Sequence, residues 1–262
     1  MPPMRSASFV FCTLLLPASL GAQPPQRDPQ AVAIAQRALL AMGGANLPTI
    51  QDTVARGTVT FAEDGSPTQG TLTLKTRGLR QLRADFVMSG GTSSAVYNAG
   101  RGAMRNADGT VRQYGWAQTI NKRADHLPLF SMLAEYADPS VGVRLPGVEM
   151  VNGASAWRLE FQRQLPPQDD PQKVYALFAR CEVFVDQASL LVVKLRYDVP
   201  AVGSLLDRHL MEFQYGDYRP EGGLVLPHTI VQSVAGSPIA VYQITSFAVN
   251  SGLSDADFIL PR

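Results

Sequence analysis

From Ala179 to Asn250, apolar and polar residues alternate in short runs separated by turn residues, the pattern of consecutive antiparallel strands. Cys181, Val183 and Val185 stand opposite Glu182 and Asp186, and the run breaks at Gln187-Ala188-Ser189. Leu191, Val193, Leu195 and Tyr197 alternate with Lys194, Arg196 and Asp198, and Met211, Phe213 and Tyr215 with Glu212, Gln214 and Gly216. Arg219-Pro220-Glu221-Gly222-Gly223 reads as a turn, followed by a run from Leu224 to Val234 and, after Gly236-Ser237-Pro238, a last one from Ile239 to Val249. Alternation of this kind leaves one sheet face covered and one wet.

The same pattern recurs earlier. Runs over Val54 to Ala62, Thr71 to Arg77 and Arg80 to Met88 are split by Asp64-Gly65-Ser66-Pro67 and closed by Gly90-Gly91. Shorter runs follow up to the Asp108-Gly109 hairpin signal. Leu72 and Leu74 share a face, as do Leu82, Ala84, Phe86 and Met88, with Arg80 in register with Leu82 and Phe86. Val148 to Gln162 forms another hairpin with Trp157, Leu159 and Phe161 on one face, and Pro166 to Pro171 an exposed loop.

Helical periodicity occurs twice. Asp28 caps and Pro29 starts a helix whose Val32, Ala35, Leu39 and Met42 form a stripe, stopped by Gly43-Gly44, with Ala45 to Gln51 as a linker. Leu127 to Tyr136 is apolar around most of its circumference, through Leu127, Leu129, Phe130, Met132, Leu133 and Tyr136, and stops at Asp138-Pro139. Nine to eleven strands with only two helices leave more apolar sheet than the helices can cover. Either two sheets pack face to face, or one sheet curls around the helices and leaves a groove.

Two stretches carry a resemblance. Phe213-Gln214-Tyr215-Gly216-Asp217-Tyr218-Arg219 with Gly222-Gly223-Leu224-Val225-Leu226-Pro227-His228-Thr229-Ile230, and the ending Phe247 to Asn250 through Leu253 to Pro261, resemble the closing elements of periplasmic LolA-like and LppX-like lipid and lipoprotein carriers. The opening helix with its Gly-Gly stop resembles how such chains begin. The resemblance implies an α+β fold, mainly β, in which a curved antiparallel sheet forms a half-barrel closed on its concave side by helices. It also implies an apolar cavity for acyl chains, no cofactor, and a cavity arginine, for which Arg80 is the candidate here. Related domains serve as envelope sensors that bind a protein partner.

Composition narrows the function further. Residues 1–22, with Arg5, an apolar core from Phe9 to Pro17 and small residues at Ser19-Leu20-Gly21-Ala22, read as a secretory signal peptide, leaving 23–262 as one domain. The apolar run is too short for a transmembrane anchor. Removing it leaves 22 basic and 22 acidic residues, a balance unlike that of nucleic-acid-binding domains. Only Cys181 then remains, placed as a small core residue, and the Cys12 context lacks the features of a lipidated cysteine. His126, His209 and His228 lie far apart, and neither zinc-ligand spacing nor a GxSxG elbow occurs, so no metal or catalytic residue is assigned. Between Lys75 and Arg123 nine basic residues face two acids, a solvated sheet face or a dock for anionic headgroups or an acidic partner.

The expectation is an exported, periplasmic carrier rather than an enzyme, binding lipid or lipoprotein acyl chains. Leu72, Leu74, Arg80, Leu82, Phe86, Met88, Phe130, Leu133, Trp157, Leu159 and Phe161 are the candidate ligand-binding residues. The alternatives are an envelope sensor or interaction module with a protein partner, and a hydrolytic enzyme using groups that meet only in space.

Overall fold

The computed structural model describes residues 25–62, 66–78, 80–98, 100–115, 119, 121, 130–165, 170, 174–201 and 204–260, without the side chains of 130, 131, 205 and 206. The expected signal segment, Cys12, His126, Leu127 to Leu129, most of the Pro166 to Pro171 loop and the Phe130 side chain lie outside the described residues.

Among the described residues thirteen strands form one antiparallel sheet. The first six are β1 (Asp52–Phe61), β2 (Thr68–Arg77), β3 (Gln81–Met88), β4 (Gly91–Asn98), β5 (Arg101–Arg105) and β6 (Val111–Tyr114). The rest are β7 (Val141–Val151), β8 (Ala154–Arg163), β9 (Arg180–Asp186), β10 (Val192–Ala201), β11 (Ser204–Glu221), β12 (Leu224–Val234) and β13 (Ser237–Val249). Their order across the sheet is β6-β5-β4-β3-β2-β1-β13-β12-β11-β10-β9-β8-β7, so two meanders meet where β1 pairs with β13 and the ends β6 and β7 are edges. The fold is a curved half-barrel with helices on its concave side.

Helix α1 (Pro29–Ala41) forms as the sequence predicts, with the Asp28 carboxylate accepting from the backbone N–H groups of Gln30 and Ala31. Its fully buried face is mostly small, Ala31, Ile34, Ala35 and Ala38, which lets the helix axis lie close to the sheet. The helix is tied at both ends. Arg27 bridges to Val143 of β7, and the Met42 carbonyl accepts from the Val225 N–H of β12 at 3.0 Å. Gly43 ends it in the left-handed region at φ 90°, where a Cβ would come 2.5 Å from the Gly223 carbonyl oxygen, so only glycine fits. Instead of a plain linker, Gly44–Thr49 forms a 3-10 turn leading into β1.

Of the second expected helix the described part begins at Phe130: α2 (Phe130–Leu133) gives way to 3-10 geometry over Ala134–Ala137 before Asp138 ends it. Three strand boundaries also differ. Pro220, expected in a turn, lies inside β11 opposite Val225; β10 pairs with β11 only up to Gln214, so the missing proline N–H leaves no ladder bond unmade there. The hairpin expected from Val148 begins at Val141, because a register shift between Arg144 and Gly147 interrupts the alternation around Pro146. The run assigned from Arg80 begins at Gln81, with Arg80 in the preceding turn.

One cluster of buried residues joins α1 and α2 to the concave face. It includes Ile34, Met42, Leu72, Leu133, Val143, Leu159, Phe161, Val183, Leu195 and Leu226, and Cys181 among them is a buried free thiol. On the outer face the strands carry ion pairs instead. Cross-strand neighbours Arg144, Glu160, Glu182 and Arg196 line up in register across β7 to β10. Lys194 donates to Glu149 at 2.7 Å and packs 4.2 Å above the Phe184 ring.

Candidate functional site

Helix α1 runs from β7 to β12 and therefore covers the C-terminal half of the sheet. Between β2–β5 and β11–β13 a hollow of about 180 Å³ opens on the concave side. Its floor comes from cross-strand rows: Leu74, Ala84, Ala95 and Met104 are successive partners across β2 to β5, and Leu82 and Tyr97 form the next row. The opposite wall is Phe213 and Tyr215 of β11, Ile230 and Gln232 of β12, and Tyr242 of β13. In a flat sheet β5 and β11, seven strand spacings apart in this order, would be about 34 Å from one another. Their side chains line one hollow because the sheet curls.

The lining is aliphatic and aromatic. Phe86 meets the Phe61 ring edge-on at 5.6 Å, and Phe213 stacks between Tyr197 and Tyr215 at 6.2 and 6.5 Å. The polar groups in the lining are neutral: the Tyr242 hydroxyl donates to the Gln232 side-chain oxygen, and the Gln232 amide points to the Met211 sulfur at 3.2 Å. Gly102 is required beside Tyr97, since a Cβ there would lie 2.7 Å from the ring; its other close neighbour is Thr119. Two residues on, Asn121 donates to the carbonyl oxygens of Phe178 and Arg180 at the start of β9. The connection leaving β6 is thus anchored to both β5 and β9.

The structure divides the residues singled out from the sequence. Leu74, Leu82 and Phe86 line the hollow. Leu72, Leu133, Leu159 and Phe161 are fully buried in the cluster beneath the helices, with Met88 and Trp157 packed against it. Trp157 lies under the Arg37 guanidinium of α1, 5.5 Å from the ring centroid. Arg80, expected on the apolar face, is instead exposed in the β2–β3 turn and outside the lining; the turn ends the alternation that placed it in register with Leu82. Ala84, Ala95, Tyr97, Met104, Phe213, Tyr215, Ile230, Gln232 and Tyr242 also line the hollow and were not singled out from the sequence. Their alternation was legible, but which strands curl toward one another is not a property of any one run.

Three cations of the basic stretch are paired with carboxylates. Lys75 pairs with Asp257 at 2.8 Å, Arg77 with Asp255 at 2.6 Å and Arg83 with Asp85 at 2.8 Å. The Lys75 hydrogen bond, with help from the Ser254 N–H, holds the Asp257 carboxyl down to about 2. The first two pairs, with Arg83 donating to the carbonyl oxygens of Asp257 and Ile259, bind the C-terminal segment, a 3-10 turn over Asp255–Phe258, to the outer face of β2 and β3. His228 is buried, with Nδ1 2.8 Å from the Ile244 carbonyl oxygen and its ring edge-on to Phe247, a structural placement. Among the described residues no group of three His, Cys, Asp or Glu side chains could hold a metal ion. Nor, among them, is any helix long and apolar enough to cross a membrane.

No family model and no curated protein matches the sequence. Solved structures do. A domain described as an outer membrane lipoprotein-sorting protein, from Vibrio parahaemolyticus, is 13% identical with a TM-score of 0.55, over 87% of this chain and 96% of that one. A LolA superfamily protein from Nitrosomonas europaea is 12% identical with a TM-score of 0.54, over 86% and 97%. The chain has a LolA-like fold. A DUF1329 family protein from Desulfovibrio piger shares it, at 14% identity and a TM-score of 0.58 over 89% and 98%. At these identities the likeness concerns the LolA-like backbone, and the lining of the hollow is this chain's own.

Proposed function

We propose that this protein is an exported, periplasmic carrier that holds an acyl chain of a lipid or lipoprotein in the hollow between β2–β5 and β11–β13. The observation that carries this reading is the apolar hollow on the concave side between these strands. Uptake would be driven by burial of the chain at roughly 25 cal/mol per Å². Leu74, Leu82 and Phe86 would touch it directly, Leu72 and Met88 of the same strands would support the wall, and Trp157, Leu159 and Phe161 would hold the helix-covered core beside it. At about 180 Å³ the hollow is near the ~150 Å³ apolar cavity that admits benzene. The fold likeness to a lipoprotein-sorting domain supports the same reading.

The test combines native cargo with reversible binding. Protein isolated from its own envelope should carry lipid detectable by mass spectrometry, and delipidated protein should bind a fluorescent fatty acid. Phe86→Asp, which places a charge in the hollow, should weaken that binding more than about tenfold while the fold persists. Leu133→Asp should instead unfold the protein, because Leu133 is completely buried beneath α1. Absence of both co-purifying lipid and fatty-acid affinity in the wild type would end the carrier reading.

A further inference from the structure

The outer face of the edge carries a second concavity, unrelated to the hollow. A groove of about 520 Å³ runs between β5, the edge strand β6 and the C-terminal segment that follows the 3-10 turn. On β5, Gly102 and Met104 turn inward toward Tyr97 and Ala95, so Arg101 and Arg105 both point outward into this groove. Its walls are apolar: Val96 beneath, Val111 on the edge strand, and Phe258 and Ile259 on the far side. Val111 and Ile259 are more than half-exposed or nearly so, at 50% and 64%.

The two arginines differ from the basic residues on β2 and β3. Lys75, Arg77 and Arg83 are satisfied by Asp257, Asp255 and Asp85. Among the described residues neither Arg101 nor Arg105 meets a carboxylate, and the Arg105 Nε is buried with no hydrogen-bond partner. A buried guanidinium N–H left unpaired is costly, and a carboxylate that reaches it forms a short charge-assisted bond. We propose that this groove docks an extended acidic segment of a partner protein, in which carboxylates pair with Arg101 and Arg105 and intervening apolar side chains pack on Val111 and Ile259. An extended chain is favoured over a bilayer surface because the groove runs along the edge strand β6, beside which an extended segment can lie. Edge strand β6, with no neighbour on its other side among the described residues, leaves one wall of the groove open to the incoming chain.

The probe is a fluorescein-labelled ten-residue peptide of alternating Asp and Leu, titrated by anisotropy against full-length protein, beside the same peptide with Lys in place of Asp. The acidic peptide should bind, the Lys peptide should not, and added salt should weaken the complex. Arg101→Met with Arg105→Met keeps the aliphatic stems and should weaken binding by about tenfold or more, with an unchanged melting temperature and unchanged fatty-acid binding. Arg80→Met, which removes an exposed arginine outside the groove, should leave the affinity as it is. Equal binding of both peptides, or full affinity in the double variant, would overturn the proposal. So would binding of anionic phosphatidylglycerol vesicles, lost in the double variant, by protein that ignores the acidic peptide; that outcome assigns the arginines to a membrane surface. A double variant that fails to fold is replaced by Arg101→Lys with Arg105→Lys, which keeps the charge but loses the planar fork, and retained full affinity there also counts against docking through the Arg105 Nε.

Discussion

Asp52 and Asp138 each organise a chain reversal through a carboxylate. Asp52, buried at the start of β1, accepts from the backbone N–H groups of Ser251, Gly252 and Leu253 at 2.6 to 3.1 Å and so holds the C-terminal segment against the sheet. Asp138 accepts from the hydroxyl and N–H of Ser140 and from Arg163, which together hold its carboxyl down to about 2 from 3.8. A carboxylate whose folded pKa lies below its unfolded one adds stability above the unfolded value, and that stability is lost as pH falls from about 3.8 to about 2. Asp138→Asn should therefore lower the melting temperature at pH 7 by about 2–4 °C, a partly solvent-screened effect of about 1 kcal/mol, and the difference from wild type should vanish near pH 2. Thermal melts across that range check it. At this scale the sequence was partly legible. The Asp28 cap could be read from its neighbours, whereas the partners of Asp52 lie 199 to 201 positions away along the chain.

Among elements, α1 decides where the sheet is sealed. Its alanines at 31, 35 and 38 have no exposure, so the helix sits on the strands without room for larger side chains. Ala35→Leu should destabilise the protein by about 1–3 kcal/mol through overpacking, read as a loss in urea midpoint with little change in slope. The helix was recognisable because cap, first-turn proline, stripe and glycine stop all agree. The strands were recognisable from period-two alternation, yet Val141 to Gly147 escaped because a bulge shifts the period, and Pro220 escaped because turn composition outweighed its place in β11.

For the whole molecule, the curl of the thirteen strands brings β5 and β11 around one space. If an acyl chain occupies it, ligand binding must stabilise the folded state by mass action. At a free concentration 100 times Kd the gain is about 2.7 kcal/mol. That corresponds to a rise of about 5–10 °C in melting temperature for a chain of this size. Differential scanning calorimetry with and without a medium-chain fatty acid should show the rise in wild type and in Arg80→Met. It should be absent in Phe86→Asp.

The sequence by itself determined the elements and the sidedness of the sheet, because alternation, caps and glycine stops act within a few residues. It determined that apolar sheet area exceeds what two helices can cover. Which half stays uncovered was decided only in three dimensions, where main-chain bonds to Val143 and Val225 fix α1 over β7 to β12. The same holds for charge. The basic excess between Lys75 and Arg123 is visible in the chain, but Asp255 and Asp257 reach Arg77 and Lys75 only because the C-terminal segment folds back across β3. Arg101 and Arg105, two strands nearer the edge, meet the apolar Phe258 and Ile259 of that segment rather than its carboxylates, and among the described residues they have no acidic partner.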